Sequence, residues 1–230
     1  FMFACALYPV DDDFIASVRL EVEQQVQRLQ HHPSIVLWAG NNENEMAIAG
    51  PWWPEVMVWN KNLRESYHKL YVETIKPIVQ ILDPTRPYVE SSPSNGLQSL
   101  AQTYAISRTP NDNKFGDVHH YDYLSDSFEW SNYPSTRFAS EYGFQSYPSF
   151  NALASVSAAS DWKYPLTANI LHRQHRLTGE TEIKLQIKLH FNEPKAGGVD
   201  KFKTFLYVSQ LTQAIAIKTE TEFYRRNRFI

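Results

Sequence analysis

Cysteine is almost absent from this 230-residue chain: Cys5 stands alone. A single thiol excludes an internal disulfide and a thiolate metal cluster. Long apolar runs are also missing, and none approaches the roughly 18–20 residues that span a bilayer as a helix. Neither sign of charge dominates: 22 Lys and Arg face 25 Asp and Glu, a formal net charge of −3. That balance gives no global pull toward nucleic acid or an anionic membrane. There is no Gly-x-Ser-x-Gly elbow, which argues against a serine α/β hydrolase. No internal repeat, low-complexity tract or Asn-x-Ser/Thr acceptor occurs. Phe1 to Pro9 begins as if mid-strand and lacks the basic n-region of a signal peptide. Tyr224 to Ile230 stops inside a charged run, so a piece of a longer protein is expected.

What is present describes a globular chain. Hydrophobic residues make up 43% and charged residues 20%, a composition that folds rather than staying disordered. The length suits one sizeable α/β domain. Aromatics reach 14%, with six Trp and thirteen Tyr. Their flat faces serve packing, and equally sugar rings or apolar ligands.

Local patterns divide the chain. Phe1 to Leu7 reads as a buried strand. Asp13 to Gln30 reads as an amphipathic helix, with Ile15, Val18, Val22, Val26 and Leu29 at helical spacing and Asp11 to Asp13 at its start. His31-His32-Pro33 ends it. Ile35 to Ala39 is the next strand, Ala47 to Trp59 a Trp-rich loop, and Asn60 to Leu82 a second helix that Pro77 would kink. Tyr88 to Ser91, Val118 to Tyr121 and Arg137 to Ser140 complete the strands, with a long polar stretch from Ser92 to Asp117. A short helix is predicted near Ser149 to Ser157 and a long one over Asp200 to Arg226. The alternation of Ile183, Leu185, Ile187, Leu189 and Phe191 is a strand signal. Strands alternating with helices indicate βα units and a parallel sheet.

Two segments carry chemistry. In Ser34-Ile35-Val36-Leu37-Trp38-Ala39-Gly40-Asn41-Asn42-Glu43 an apolar run ends in amides and a carboxylate. A polar cluster at the C-terminal end of a buried strand is where α/β folds place their sites. A carboxylate beside an amide suits a proton donor flanked by a hydrogen bonder for substrate. Arg137-Phe138-Ala139-Ser140-Glu141-Tyr142-Gly143-Phe144 repeats the arrangement, with Glu141 lying 98 residues after Glu43. Two carboxylates across a cleft are the minimum equipment for glycoside hydrolysis.

Val36-Leu37-Trp38-Ala39-Gly40-Asn41-Asn42-Glu43, followed by Ser140-Glu141-Tyr142-Gly143-Phe144, closely resembles the β-mannosidases of glycoside hydrolase family two. The likeness is close from Phe1 to about Gln145, looser beyond, and returns at Lys218 to Arg226. It implies an α/β fold that is an incomplete (β/α)₈ TIM barrel, about strands three to seven, truncated at both ends. It also implies a retaining exo-β-mannosidase releasing non-reducing-end mannose from oligosaccharides, in the lysosome. On this likeness Glu43 is the acid/base and Glu141 the nucleophile. Asn42 binds the axial 2-hydroxyl, and Tyr121 orients the nucleophile. His119 and Trp38 join them as substrate-binding residues. Retention predicts carboxyl groups roughly 5–5.5 Å apart, with a raised pKa on the acid. No metal or organic cofactor is required, and neither nucleic acid nor membrane is expected as a partner. The likeness would also place a helix where Ile183 to Phe191 reads as a strand.

Other readings compete. Glu45 is the rival acid/base, otherwise a neighbour on the loop. Glu90 is a site residue or half of a salt bridge. Trp52, Trp53 and Trp130 form a sugar platform or simply pack. The pairs His31-His32, His119-His120 and His172/His175 show no zinc-ligand spacing. At the level of function, the alternatives are a non-catalytic fragment and another family-two glycosidase, a β-galactosidase or β-glucuronidase.

Overall fold

The computed structural model describes residues 3–192, 195 and 197–228, which divide into two compact units. Unit 1 comprises Phe1–His119 and Thr136–Ser140; unit 2 comprises His120–Ser135 and Glu141–Ile230.

Unit 1 opens on α1 (Asp12–Leu29). Asp11 caps it by accepting the Phe14 N–H at 3.0 Å, and Asp12 and Asp13 add negative charge to the first turn. Its buried residues, Ile15, Val18, Val22 and Val26, are those the sequence periodicity selects. Strand β1 (Trp38–Ala39) pairs in parallel with β2 (Tyr88–Val89), Trp38 opposite Tyr88 and Ala39 opposite Val89. Single parallel bridges extend the pattern, Phe3 to Asn41 and Asn42 to Ser92. Among the described residues of the expected first strand, Phe3 is the one that pairs; Phe1 and Met2 lie outside the described residues. A Cβ on Gly40 would lie 2.4 Å from the Tyr88 hydroxyl and 2.5 Å from the Glu90 carbonyl, so no larger residue fits.

The segment expected as a loop holds two short helices, α2 (Asn44–Ala49) and α3 (Pro54–Val58). Pro54 sits at the first turn of α3, where its missing N–H costs nothing. The second long helix runs over its expected span in three parts: α4 (Asn60–Tyr67), a wide π-type stretch (His68–Ile75) and α5 (Lys76–Leu82). The wide turns end just before Pro77, which has no N–H to return to the preceding turn. Leu70, Tyr71, Ile75 and Val79 from this helix join Val22 and Val26 of α1 in one core. The polar stretch after β2 carries one-turn helix α6 (Leu97–Leu100), then β3 (Asp117–His120), which pairs with β4 (Phe138–Tyr142). Backbone closeness recurs at Gly116, where a Cβ would lie 2.4 Å from the Ser94 carbonyl.

Unit 2 contains α7 (Phe150–Ala154), α8 (Ala168–Gln174), α9 (Gly179–His190) and α10 (Gly198–Arg226). Here the strand expected over Ile183 to Phe191 is corrected: residues 179–190 are helical. The alternation misleads because only Ile183 and Ile187, four apart, enter the core, while Leu185 and Leu189 are exposed. Glu182 and Gln186 fill the same buried face. Arg176 grips Glu182 through two 2.7 Å hydrogen bonds, and Gln186 spans Ser125 and Ser127. A buried face built on polar residues leaves no apolar helical period to read. In α10 the inner face runs Phe202, Phe205, Leu206, Ser209, Thr212, Ala216, turning polar midway for the same reason. Among the described residues, no helix is long and apolar enough to cross a membrane.

Candidate active site

The turn after β1 delivers the first cluster. Glu43 has left-handed backbone, φ 63° and ψ 3°, a conformation few non-glycine residues adopt without a compensating constraint. The constraint is visible. The Glu43 N–H donates to the Ser92 carbonyl at 2.7 Å, and its carbonyl accepts from Ala47 N–H at 2.8 Å. Asn41, fully buried, donates to the Glu90 carbonyl and accepts from both the Ser91 hydroxyl and the Asn44 N–H. The turn is therefore pinned from β2 on one side and α2 on the other.

Glu43 uses both carboxyl oxygens. Oε1 lies 2.9 Å from His119 Nδ1, and Oε2 accepts from the Cys5 thiol at 3.1 Å. Burial pushes its pKa up, but hydrogen bonds from His119 and Cys5 and the charge of His119 outweigh it, so the net direction is down. A raised value was expected of an acid; the partners reverse it. Cys5 responds oppositely. Burial, then the hydrogen bond and charge of Glu43, push the thiol up to about 11, so it stays a protonated donor. Asn42 donates to the same sulfur at 3.2 Å, while its buried Oδ1 accepts no hydrogen bond among the described residues.

His119 is buried in β3 and engaged at both ring nitrogens. Nε2 lies 3.0 Å from Ser92 Oγ, and the Ser92 hydroxyl in turn donates to Asp117 Oδ2 at 2.5 Å. Asp117 Oδ1 accepts from the Ser140 N–H at 3.2 Å. Unit 1 thus holds a continuous line from Asp117 through Ser92 and His119 to Glu43. Cys5, Ser92 and Asp117 were not singled out from the sequence. For Asp117 a signal existed: residues two apart on a strand share a face, and Asp117 and His119 do so across buried Val118.

The second carboxylate, Glu141, lies on β4 and belongs to unit 2. The Tyr121 hydroxyl donates to its Oε1 at 2.8 Å. Tyr121 follows β3 directly, so consecutive strands supply the pair.

The remaining candidates are placed otherwise. Trp38 packs against the unit 1 core, and its indole N–H donates to Asp83 at 2.8 Å. Glu45 is not a loop neighbour. It is buried in α2, accepts from the Ser107 N–H at 2.9 Å, and burial pushes its pKa up to about 7. Glu90 forms a 2.7 Å ion pair with Lys76. Trp53 packs against the unit 1 core, and Arg226 covers Trp130 at 4.0 Å.

No protein-family profile matches the chain. Individual relatives do, over 99% of its length. It is 49% identical over 229 residues to the β-mannosidase of Capra hircus, 49% to that of Bos taurus and 45% to that of Rattus norvegicus. Among solved structures, the β-D-mannosidase from Dictyoglomus thermophilum superposes with a TM-score of 0.77 at 30% identity, covering 100% of this chain. The fold is therefore α/β of the kind found in that glycosidase. More particularly, the chain is similar to β-mannosidases, as its two carboxylate motifs indicate. It spans about 26% of the length of each of these proteins.

Proposed function

We propose that this chain is part of the catalytic barrel of a retaining exo-β-mannosidase. The observation that carries this reading is that the two motif carboxylates are both held by donors. Glu43 is fixed by His119 and Cys5, Glu141 by Tyr121. Similarity to β-mannosidases over 99% of the chain supports the substrate class. In this reading Glu141 attacks the anomeric carbon while Glu43 protonates the leaving oxygen. A glycosyl ester forms on Glu141 as the bond to the leaving group breaks. Glu43, now ionised, takes a proton from water, and the resulting attack releases mannose with its configuration retained.

Each side chain has a fitting task. The Tyr121 hydroxyl donates to Glu141 Oε1 and so orients the carboxylate for attack. The unfilled Oδ1 of Asn42 is an acceptor for a hydroxyl donor, and the sugar 2-hydroxyl is the one assigned to it. The lowered pKa of Glu43 fits a proton stored between Glu43 and His119 rather than on Glu43 alone. Expelling water on binding sugar disfavours the separated charges and moves that proton onto the carboxyl.

The test is hydrolysis by the natural full-length polypeptide. Aryl β-mannoside is cleaved, and the corresponding β-galactoside and β-glucuronide are not. Cleavage of either of the latter in preference to the mannoside contradicts the specificity. Cleavage of none contradicts the enzymatic reading.

A further inference from the structure

We propose that Asp117 and Ser92 are positioning residues that fix the tautomer of His119, so that Nε2 always carries a proton and Nδ1 shares one further proton with Glu43. The inference deepens the reading of Glu43 as the acid/base and rests on it for its catalytic consequence, though not for the tautomer itself.

The argument is an inventory of donors. A serine hydroxyl has one hydrogen. Ser92 Oγ lies 2.5 Å from Asp117 Oδ2 and 3.3 Å from the Ser140 hydroxyl; the carboxylate is the nearer and stronger acceptor, so the hydrogen is committed there. Asp117 is held in place by the Ser140 N–H on its other oxygen. Ser92 Oγ therefore accepts from His119 Nε2 at 3.0 Å, which places a proton on Nε2. With Nε2 protonated, two states remain for Nδ1 and Glu43 Oε1, 2.9 Å apart. Either Nδ1–H donates to ionised Glu43, or Glu43 carries the proton and donates to bare Nδ1. The two states differ by the transfer of one proton between these atoms and have the same total charge. Glu43 thus gives up a proton as acid and recovers one as base, with His119 as its reservoir. The other neutral tautomer, bare at Nε2 and protonated at Nδ1, cannot receive that proton from Glu43. Asp117 and Ser92 touch no reacting atom in this scheme; they act through His119.

The experiment uses the natural full-length polypeptide, wild type and Asp117→Asn. In the variant, an amide whose oxygen stays on the Ser140 N–H turns its NH₂ toward Ser92. The Ser92 hydroxyl is then released to donate to His119 Nε2, and the neutral tautomer reverses. The first readout is the ¹⁵N spectrum of histidine-labelled protein, the His119 signals assigned by their loss in His119→Gln. Wild type shows Nε2 protonated, and Asp117→Asn shows it bare. The second readout is leaving-group dependence. A dinitrophenyl mannoside needs no proton to depart, whereas mannobiose does. Asp117→Asn should lower kcat on mannobiose by about 10²-fold or more with little change in KM, and kcat for glycosyl transfer from the dinitrophenyl substrate by less than about 3-fold. Ser92→Ala, which removes the acceptor for Nε2, should show the same selective loss. A wild-type Nε2 without its proton overturns the proposal. So does an equal loss on both substrates, which is what a merely structural role produces. If wild type cleaves no mannoside, the functional reading falls, and the histidine spectrum alone decides the tautomer.

Discussion

Glu43 and Glu45 stand two residues apart and meet opposite environments. Glu43 sits on a left-handed turn with a donor on each oxygen, and its pKa is held down. Glu45 lies in the first turn of the helix that follows, fully buried, with the Ser107 N–H on Oε1 and the Ser99 and Ser94 hydroxyls lowering its pKa in part, and burial still pushes it up to about 7. By titration alone Glu45 looks like the acid. The difference teaches that a raised pKa reports desolvation, and that a chemical role depends on access and on partners able to exchange a proton. Glu43 has such a partner in His119. Glu45 is sealed among Ser107, its own helix and the negative charge of Glu90.

The largest effect that would break this contrast is in turnover. Glu43→Gln in the full-length polypeptide should lower kcat on mannobiose by about 10²- to 10⁴-fold, while Glu45→Gln stays within a few-fold of wild type. Steady-state kinetics on both variants checks it, and the reverse ranking would make Glu45 the acid/base. Tyr121→Phe comes next. Removing a hydrogen bond to a charged carboxylate costs about 1.5–3 kcal/mol, so kcat should fall roughly 10- to 100-fold with Glu141 still in place. An unchanged kcat would remove Tyr121 from the account.

Stability sharpens the same contrast with opposite signs. Folded, Glu45 keeps its proton up to about pH 7; unfolded, it loses it near the ordinary 4.5. Folding takes up a proton in between, so stability falls as pH rises through that window. Glu45→Gln should abolish that contribution and raise stability above pH 7 by up to roughly 3 kcal/mol. Glu43 behaves in reverse. Its folded value is lowered, so it stabilises the fold above the ordinary 4.5, and that contribution is lost as pH falls through the folded value. Glu43→Gln should destabilise modestly at neutral pH and converge with wild type in acid. Thermal melts from pH 8 down into acid below the ordinary 4.5 read both, and differences from wild type that slope in the same direction with pH for the two variants would break the contrast.

Legibility from sequence followed the same physical divide. Where an element buries an apolar stripe, as α1 does with Val18, Val22 and Val26, its span was readable to within a residue or so. Where the buried face is polar, as with Glu182 and Gln186 in α9, the remaining apolar residues gave a false alternation. The two candidate carboxylates stand out in the sequence because each closes a strand-like run. Their partners were less so. Cys5 and Ser92 reach Glu43 and His119 only through sheet neighbours distant in the chain, Phe3 beside Asn41 and Asn42 beside Ser92. No local pattern announces such contacts. The strands themselves are only two to five residues long, too short for a β-propensity pattern to mark their bounds.

The most direct measurement is the mass of the natural full-length polypeptide quenched during turnover of a 2-fluoro aryl β-mannoside, followed by peptide mapping. The account predicts one added fluoromannosyl group, on the peptide that contains Glu141, and none in Glu141→Gln. A sugar found on another carboxylate, or hydrolysis that inverts the anomeric centre with no adduct, would contradict it.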